Sequence, residues 1–326
     1  MKISVIIPIY GVEKYIARCA RSLFEQTLID GVEFIFINDA TKDRSCEVLQ
    51  SVINEYLGRN LEIKIIHHHN NQGLPSARNT GLMQAKGEYI MHVDGDDFLE
   101  KNALKLLYEA VATNNADVAW CDYYITFEKK KRVIVQPRFN SPEEAVRGML
   151  RGTMKYNVWN KLCRRSLYNN YGITFPAGKS MGEDLTMIMV FLNARKCIYV
   201  NKSLYNYVQN PGQMTATYNE EKLESLHYNC NRISQYIDQY FSQNNYCREY
   251  SALKQLMKWP FLLDGKYSSY KRWHNWFPES NAYIWQTKGV NARIKFIEWC
   301  AAKHLWPIIW LHYIFVIKFY YGIVYK

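Results

Sequence analysis

Three carboxylates stand within four residues at Asp94-Gly95-Asp96-Asp97. Like charges a few ångströms apart raise one another's pKa, so such a cluster calls for a positive partner. A divalent ion is the natural compensation, because Mg²⁺ and Mn²⁺ characteristically join one or two carboxylates to substrate phosphates. Read locally, the same residues are an Asp cap before a helix at 98–108. A second acidic pair, Glu183-Asp184, opens the apolar-periodic stretch 185–192. It too has two readings: charges favoured by the dipole in a first helical turn, or a proton acceptor. The run Lys129-Lys130-Lys131-Arg132 reads as a solvated turn. His67, His68 and His69 follow a strand pattern and point alternately to opposite sides, so they do not converge on a metal by default. The eight cysteines are far apart, with no CxxC pair and no Cys/His cluster at metal spacing. That argues against a zinc or disulfide scaffold and for a reducing compartment.

The elements that must position these groups are legible in the apolar periodicity. Residues 3–9 form a nearly continuous apolar run, the pattern of a strand buried on both faces. Pro8 and the following Glu13 and Lys14 argue against a signal peptide and for a cytosolic first strand. Helices are predicted at about 12–26, 43–56, 74–85, 102–114, 142–150 and 185–192, and strands at 32–37, 61–67, 89–93, 116–127 and 197–207. Strand and helix alternate, which predicts an α/β fold with a mostly parallel sheet flanked by helices and right-handed crossovers. Tyr10-Gly11, Asn38-Asp39, Asn70-Asn71 and Asp94 to Asp97 fall just past strand ends, the edge where open α/β sheets bind ligands.

Several stretches, in order, resemble the signatures of the large family 2 of nucleotide-sugar-dependent, inverting glycosyltransferases. They are Val5-Ile6-Ile7-Pro8-Ile9-Tyr10, Ile37-Asn38-Asp39-Ala40-Thr41, Asn70-x-x-Gly73-Leu74-x-x-Ala77-Arg78-Asn79-x-Gly81-Leu82, Gly87-Glu88-Tyr89-Ile90 and Asp94-Gly95-Asp96-Asp97. The resemblance is close over residues 1–110 and continues through Trp159-Asn160-Lys161-Leu162 and Gly182-Glu183-Asp184-Leu185 to about Tyr207, as in bacterial enzymes of capsule, lipopolysaccharide or other surface-glycan synthesis. It implies a GT-A catalytic domain over 1–215 and a metal-dependent hexosyl- or N-acetylhexosaminyl-transferase using a UDP-sugar. Pro8 to Tyr10 and Asp39 would hold the base, Asp39 accepting from a uracil N–H. Arg78 would lie near base or pyrophosphate, unless it pairs structurally with Asp39 or Asp94. Asp94 would serve the ribose or the metal's surroundings, and Asp96, with Asp97 beside it, would bind Mn²⁺ or Mg²⁺. Asp184 matches the catalytic base, with Glu183 positioning acceptor or base. Trp159, Asn160 and Lys161 would meet donor sugar or acceptor. Asn210-Pro211-Gly212-Gln213-Met214-Thr215 occupies the region where relatives close over the donor. The acceptor would be a glycan or lipid-linked hydroxyl, and the location cytoplasmic, peripheral on the inner face of the inner membrane.

Residues 216–326 form a helical, aromatic-rich extension of different character. The formal net charge is +11, and from 254 to 326 eleven Lys or Arg face only Asp264, Glu279 and Glu298. Seven of the nine Trp fall there as well, so the basic excess and the aromatic excess share one region. Such a surface can meet nucleic acid, anionic lipid or a phosphorylated substrate. The charge-free run 305–317 is 13 residues long, against about 20 for a membrane span. An interfacial segment on an anionic membrane is therefore expected, with packing on the core or a homo-oligomer contact as the rival. A nucleic-acid-binding protein is disfavoured: no recognition motif is present, and the Asp94 cluster would repel a phosphate backbone. A catalytically silent glycan-binding scaffold is the remaining alternative.

Overall fold

The computed structural model describes residues 1–210, 219–241 and 243–321. Most of the expected donor-closing stretch, Pro211 to Thr215, lies outside the described residues. The chain forms two compact units, one of Met1–Val146 and Tyr156–Ile233, the other of Arg147–Lys155 and Ser234–Lys326.

In the first unit the strands are β1 (Ile3–Ile9), β2 (Val32–Asn38), β3 (Glu62–His67), β4 (Tyr89–His92), β5 (Phe98–Leu99), β6 (Val118–Thr126), β7 (Lys131–Ile134), β8 (Lys161–Arg164) and β9 (Cys197–Val208). They form one sheet in the order β3-β2-β1-β4-β8-β6-β9-β5, with β7 paired to β6. The block β3-β2-β1-β4 is parallel, as the alternation predicts. Beyond it the sheet is mixed, because β8 inserts antiparallel between β4 and β6 while β6 and β9 run parallel. Periodicity does not reveal β5 and β8: at two and four residues they are too short to carry a pattern, and β8 begins with a lysine. The crossover helices are α1 (Ile16–Phe24), α2 (Ser45–Glu55), α3 (Leu74–Gln84) and α4 (Ala103–Asn114); α5 (Pro142–Leu150), which passes into the second unit at Arg147, α6 (Arg165–Asn170) and α7 (Thr186–Leu192) follow. The core lies between this sheet and its helices, with every residue of β1 buried.

Register fixes the ligand edge. Ile9 pairs with Asn38 and Asn38 with His67, so Tyr10, Asp39 and His68 leave three adjacent strands at one level. Two glycines permit the approaches there. A Cβ on Gly95 would stand 2.9 Å from the Pro8 carbonyl oxygen, and one on Gly81 would stand 2.3 Å from Ile6 Cγ2. The first lets the Asp94 loop lie against β1. The second lets α3 press on the sheet, with Arg78 on the same helix face one turn earlier.

Helix α8 (Glu220–Tyr240) begins in the first unit and ends in the second, which holds α9 (Gln243–Lys258), α10 (Tyr267–Asn275), α11 (Ala292–Ala302) and α12 (Trp306–His312), and α12 continues as π-helical turns over Tyr313–Tyr321. Trp273, Leu253, Ile284, Cys300 and Ile309 are in the core of the second unit. Glu249 receives both Arg147 (3.1 Å) and Arg151.

Candidate active site

Arg78 is the hub. Its side chain is only 1% exposed, yet one guanidinium reaches Asp94 Oδ1 at 3.0 Å through Nη2, and Asp184 Oδ1 at 3.2 Å and Glu183 Oε1 at 3.3 Å through Nη1. Its plane lies over the Phe175 ring, 5.5 Å from the centroid. Three carboxylates from distant parts of the sequence thus share one buried cation. The pairing with Asp94 was expected as an alternative to nucleotide contact; that with Asp39 does not form, and the pairing with Glu183 and Asp184 was not foreseen. Gly182, at φ 81°, starts a single 3₁₀ turn over Glu183–Leu185 that turns both acids toward Arg78. Burial pushes both acid groups up, and Asp184 raises Glu183 further; Arg78 opposes the rise in each. Asp94 and Asp184 keep 24% and 23% side-chain exposure, so both remain reachable from outside.

The end of β9 clasps the Asp94–Asp97 loop. Tyr205 Oη donates to Asp97 Oδ2 at 2.7 Å and accepts the Asp94 N–H at 3.2 Å, Val208 N donates to Asp97 Oδ1 at 2.8 Å, and Asn210 Nδ2 donates to Asp96 Oδ2 at 3.2 Å. Asp97 was expected beside Asp96 as a metal neighbour. Instead it is fully buried with both oxygens engaged by β9, which makes it a strut for the loop. Asp96 differs: burial, reinforced by Asp94, pushes its pKa up to about 6. Among the described residues no three His, Cys, Asp or Glu side chains group as a protein-only metal site would require. Asp96 does suit the mode in which one carboxylate and substrate phosphates hold Mg²⁺ or Mn²⁺, because a cation there would relieve the charge that burial penalises.

Asp39 sits where β2 ends. Its Oδ1 accepts from Gln72 N (2.9 Å) and meets His68 Nδ1 (2.7 Å), while Oδ2 accepts from Gly73 N (2.8 Å). His68 is held from its other side by Thr80 Oγ1 at 2.8 Å. Pro8 is buried in β1, whereas Tyr10 is 52% exposed at its end.

Trp159, Asn160 and Lys161 require a correction. Trp159 is 5% exposed and stacks on Tyr205 (4.3 Å) and Tyr207 (5.4 Å), so its faces are already covered by protein. Asn160 is fully buried, its Nδ2 donating to the Cys121 carbonyl at 2.9 Å. Lys161 is buried, donates from Nζ to Asn157 O (2.6 Å) and Asn160 Oδ1 (2.8 Å), and is lowered by burial to about 8. From its buried position Lys161 still helps to hold the Asp184 carboxyl down against the rise that burial causes. Tyr205 and Val208 are functional neighbours that the sequence reading missed. For Tyr205 the signal was the alternation of tyrosines at 205 and 207 in a strand more than a hundred residues from the loop it holds; Val208 acts through its backbone N–H, which leaves none.

Comparison with known proteins bears on the fold and the family. Uncharacterized glycosyltransferase EpsJ of Bacillus subtilis is 33% identical over 222 residues, covering 65% of this chain and 62% of that protein. Glycosyltransferase GlyG of Streptococcus pneumoniae is 29% identical over 66% of this chain and 73% of its own. The chain thus spans less than two thirds of EpsJ. Among solved structures, S. aureus TarS 1-349 in complex with UDP-GlcNAc superposes with a TM-score of 0.73 at 20% identity, covering 96% of this chain and 91% of that one. Mannosyltransferase PcManGT from Pyrobaculum calidifontis, in complex with GDP-Man and Mn²⁺, superposes at 0.54 and 13% identity over 96% and 87%. These superpositions establish a shared fold. The sequence of residues 4–185, more than half of the chain, matches Glycosyl transferase family 2, and the chain belongs to that family.

Proposed function

We propose that this protein is an inverting glycosyltransferase that moves a hexosyl or N-acetylhexosaminyl group from a UDP-sugar to a hydroxyl of a surface-glycan or lipid-linked acceptor. The observation that carries the reading is the Arg78 hub. It holds Asp94, on the nucleotide-binding edge, and the Glu183-Asp184 pair within one guanidinium's reach, so a donor on that edge would bring its anomeric carbon near a proton acceptor. In the reaction the acceptor oxygen bonds to the anomeric carbon, the bond to the β-phosphate oxygen breaks on the opposite face, and the hydroxyl proton passes to Asp184. Arg78 keeps Asp184 aimed and opposes the rise in its pKa that burial causes. Glu183 positions the acceptor or Asp184. The edge formed by Pro8, Tyr10 and Asp39 receives the uracil end, with Tyr10 exposed there and the buried Asp39 fixing the loop through Gln72 N and Gly73 N, and Asp96 is the carboxylate that would hold Mn²⁺ or Mg²⁺. When bound, that ion would stabilise the charge of the departing diphosphate as a Lewis acid. A UDP donor is favoured over GDP by the stronger likeness to TarS, whose structure holds UDP-GlcNAc. The proposal includes a peripheral position on the cytoplasmic face of the inner membrane, where a lipid-linked acceptor would be within reach.

The test is Asp184→Asn, which keeps the shape of the acid but removes the proton acceptor. Turnover across a panel of UDP-sugars should fall on the order of 10²- to 10⁴-fold. UDP affinity measured by calorimetry should hold, and its collapse would return Asp184 to a structural role. Product NMR should show a β-glycoside from an α-linked donor; an α product refutes inversion.

A further inference from the structure

The helix formed by α12 and the π-helical turns after it carries large apolar side chains on its outer face. Trp310 is 50% exposed, Leu311 46%, Phe315 63% and Phe319 66%. π winding closes i→i+5 hydrogen bonds, so residues four apart nearly align: Leu311, Phe315 and Phe319 form one row, with Trp310, Ile314 and Lys318 beside it. The opposite face is fixed within the second unit. Ile309 and His312 are buried, and Tyr313 sits where a Cβ on Gly265 would come within 2.4 Å of its ring. The apolar row therefore faces outward by construction, and a contiguous exposed row of this kind marks an interaction surface.

Charge identifies the occupant. No Asp or Glu occurs after Glu298, which is buried, while the exposed Lys303 caps the end of α11 three residues before α12 and the exposed Lys318 stands beside the apolar row. A second copy docked across a two-fold axis would bring the same face, with the same lysines, against itself. No helix among the described residues is long and apolar enough to cross a membrane. We propose that the outer face of residues 306–319 docks this protein on an anionic lipid bilayer, with Leu311, Phe315 and Phe319 entering the interface and Trp310 and Lys318 at headgroup level. The proposal sharpens the location given above but does not depend on sugar transfer, because its readout is lipid binding alone.

Flotation of the full chain with phosphatidylcholine vesicles, with and without about one third phosphatidylglycerol, is the test. The intact protein should float with anionic vesicles, and less so as salt shortens the screening length. Phe315→Ser with Phe319→Ser should lower the partition coefficient at least about tenfold, and Lys318→Glu at least about fivefold. If the double variant misfolds, Lys318→Glu at an exposed side chain carries the test. Equal binding to neutral and anionic vesicles, unchanged partition of either folded variant, or no flotation of the intact chain overturns the proposal. So does a dimer in light scattering that the double variant abolishes while vesicles leave the intact chain unbound.

Discussion

Each unit buries a cation, but only one of them builds a site around it. Arg78 meets three carboxylates delivered by the β4 loop and a 3₁₀ turn, and two of those carboxylates stay about a quarter exposed. Lys258, in the second unit, is equally buried, yet its Nζ donates to the carbonyls of Trp276 (3.1 Å) and Phe277 (3.4 Å) and to Asn281 Oδ1 (2.5 Å), and rests over the Trp273 ring at 4.0 Å. Neutral acceptors satisfy the second cation, and it ties a loop to a helix. Charged acceptors that outnumber the first leave negative charge facing outward. Burial of charge alone therefore does not mark a site; excess charge of one sign, converging from separate elements with exposure left over, does.

Removing each cation should separate the two cases most strongly. Arg78→Met strands three carboxylates at the sheet edge, and breaking a buried pair from one side costs about 3–5 kcal/mol. Turnover should be lost with it. Lys258→Met frees two carbonyls and one amide oxygen, a cost of about 1–3 kcal/mol, and leaves UDP binding intact. Urea midpoints and UDP calorimetry on both variants check this. Equal destabilisation would erase the distinction drawn above.

A smaller effect should distinguish loop positioning from packing. Tyr205→Phe keeps the stack on Trp159 and deletes the hydroxyl that bridges Asp97 and the Asp94 amide. The expected cost is about 1–3 kcal/mol, together with a raised KM for the donor and a smaller change in kcat. An unchanged KM would make Tyr205 a core residue only.

The two units differ in the same way in how far the sequence could be read. The parallel block and the positions of Asp39 and Asp94 to Asp97 were legible, because buried strands leave apolar runs and polar residues follow their ends; Glu183-Asp184 follows no strand and was legible as an acidic pair opening an apolar-periodic stretch. The roles within the cluster were not. Whether Asp97 faces solvent or β9 depends on strands that pair across more than a hundred residues, and nothing local in Asp96-Asp97 distinguishes the two. Trp159 and Lys161 were misjudged for a related reason: a tryptophan or lysine suits sugar or phosphate by type, but its neighbours in the sheet decide whether anything else can reach it. In the second unit the basic and aromatic excess was plain, whereas which aromatics turn outward required the helix's seat on Gly265.

A last effect is a pH dependence that arises in the second unit. Burial pushes Glu298 up to about 7, eased by Lys258 and Lys295. Burial also pulls Lys258 down to about 7, eased by Glu298 and Glu279 and deepened by Lys254. For Glu298 the folded form binds the proton more tightly than the unfolded chain, so its stabilisation is complete below about 4.5 and lost as pH rises to about 7. For Lys258 the unfolded chain binds the proton more tightly, so stability recovers as pH rises from about 7 toward about 10.4. The pair should place a shallow minimum near neutrality. Glu298→Gln removes the acidic arm only, so its stability relative to wild type should improve between pH 5 and 7.5, by on the order of 1–3 kcal/mol. Chemical unfolding at the two pH values reads that difference directly. A constant difference would mean that Glu298 stays ionised beside Lys258, and the second unit would then hold a true buried ion pair, closer in kind to the Arg78 hub than its geometry implies.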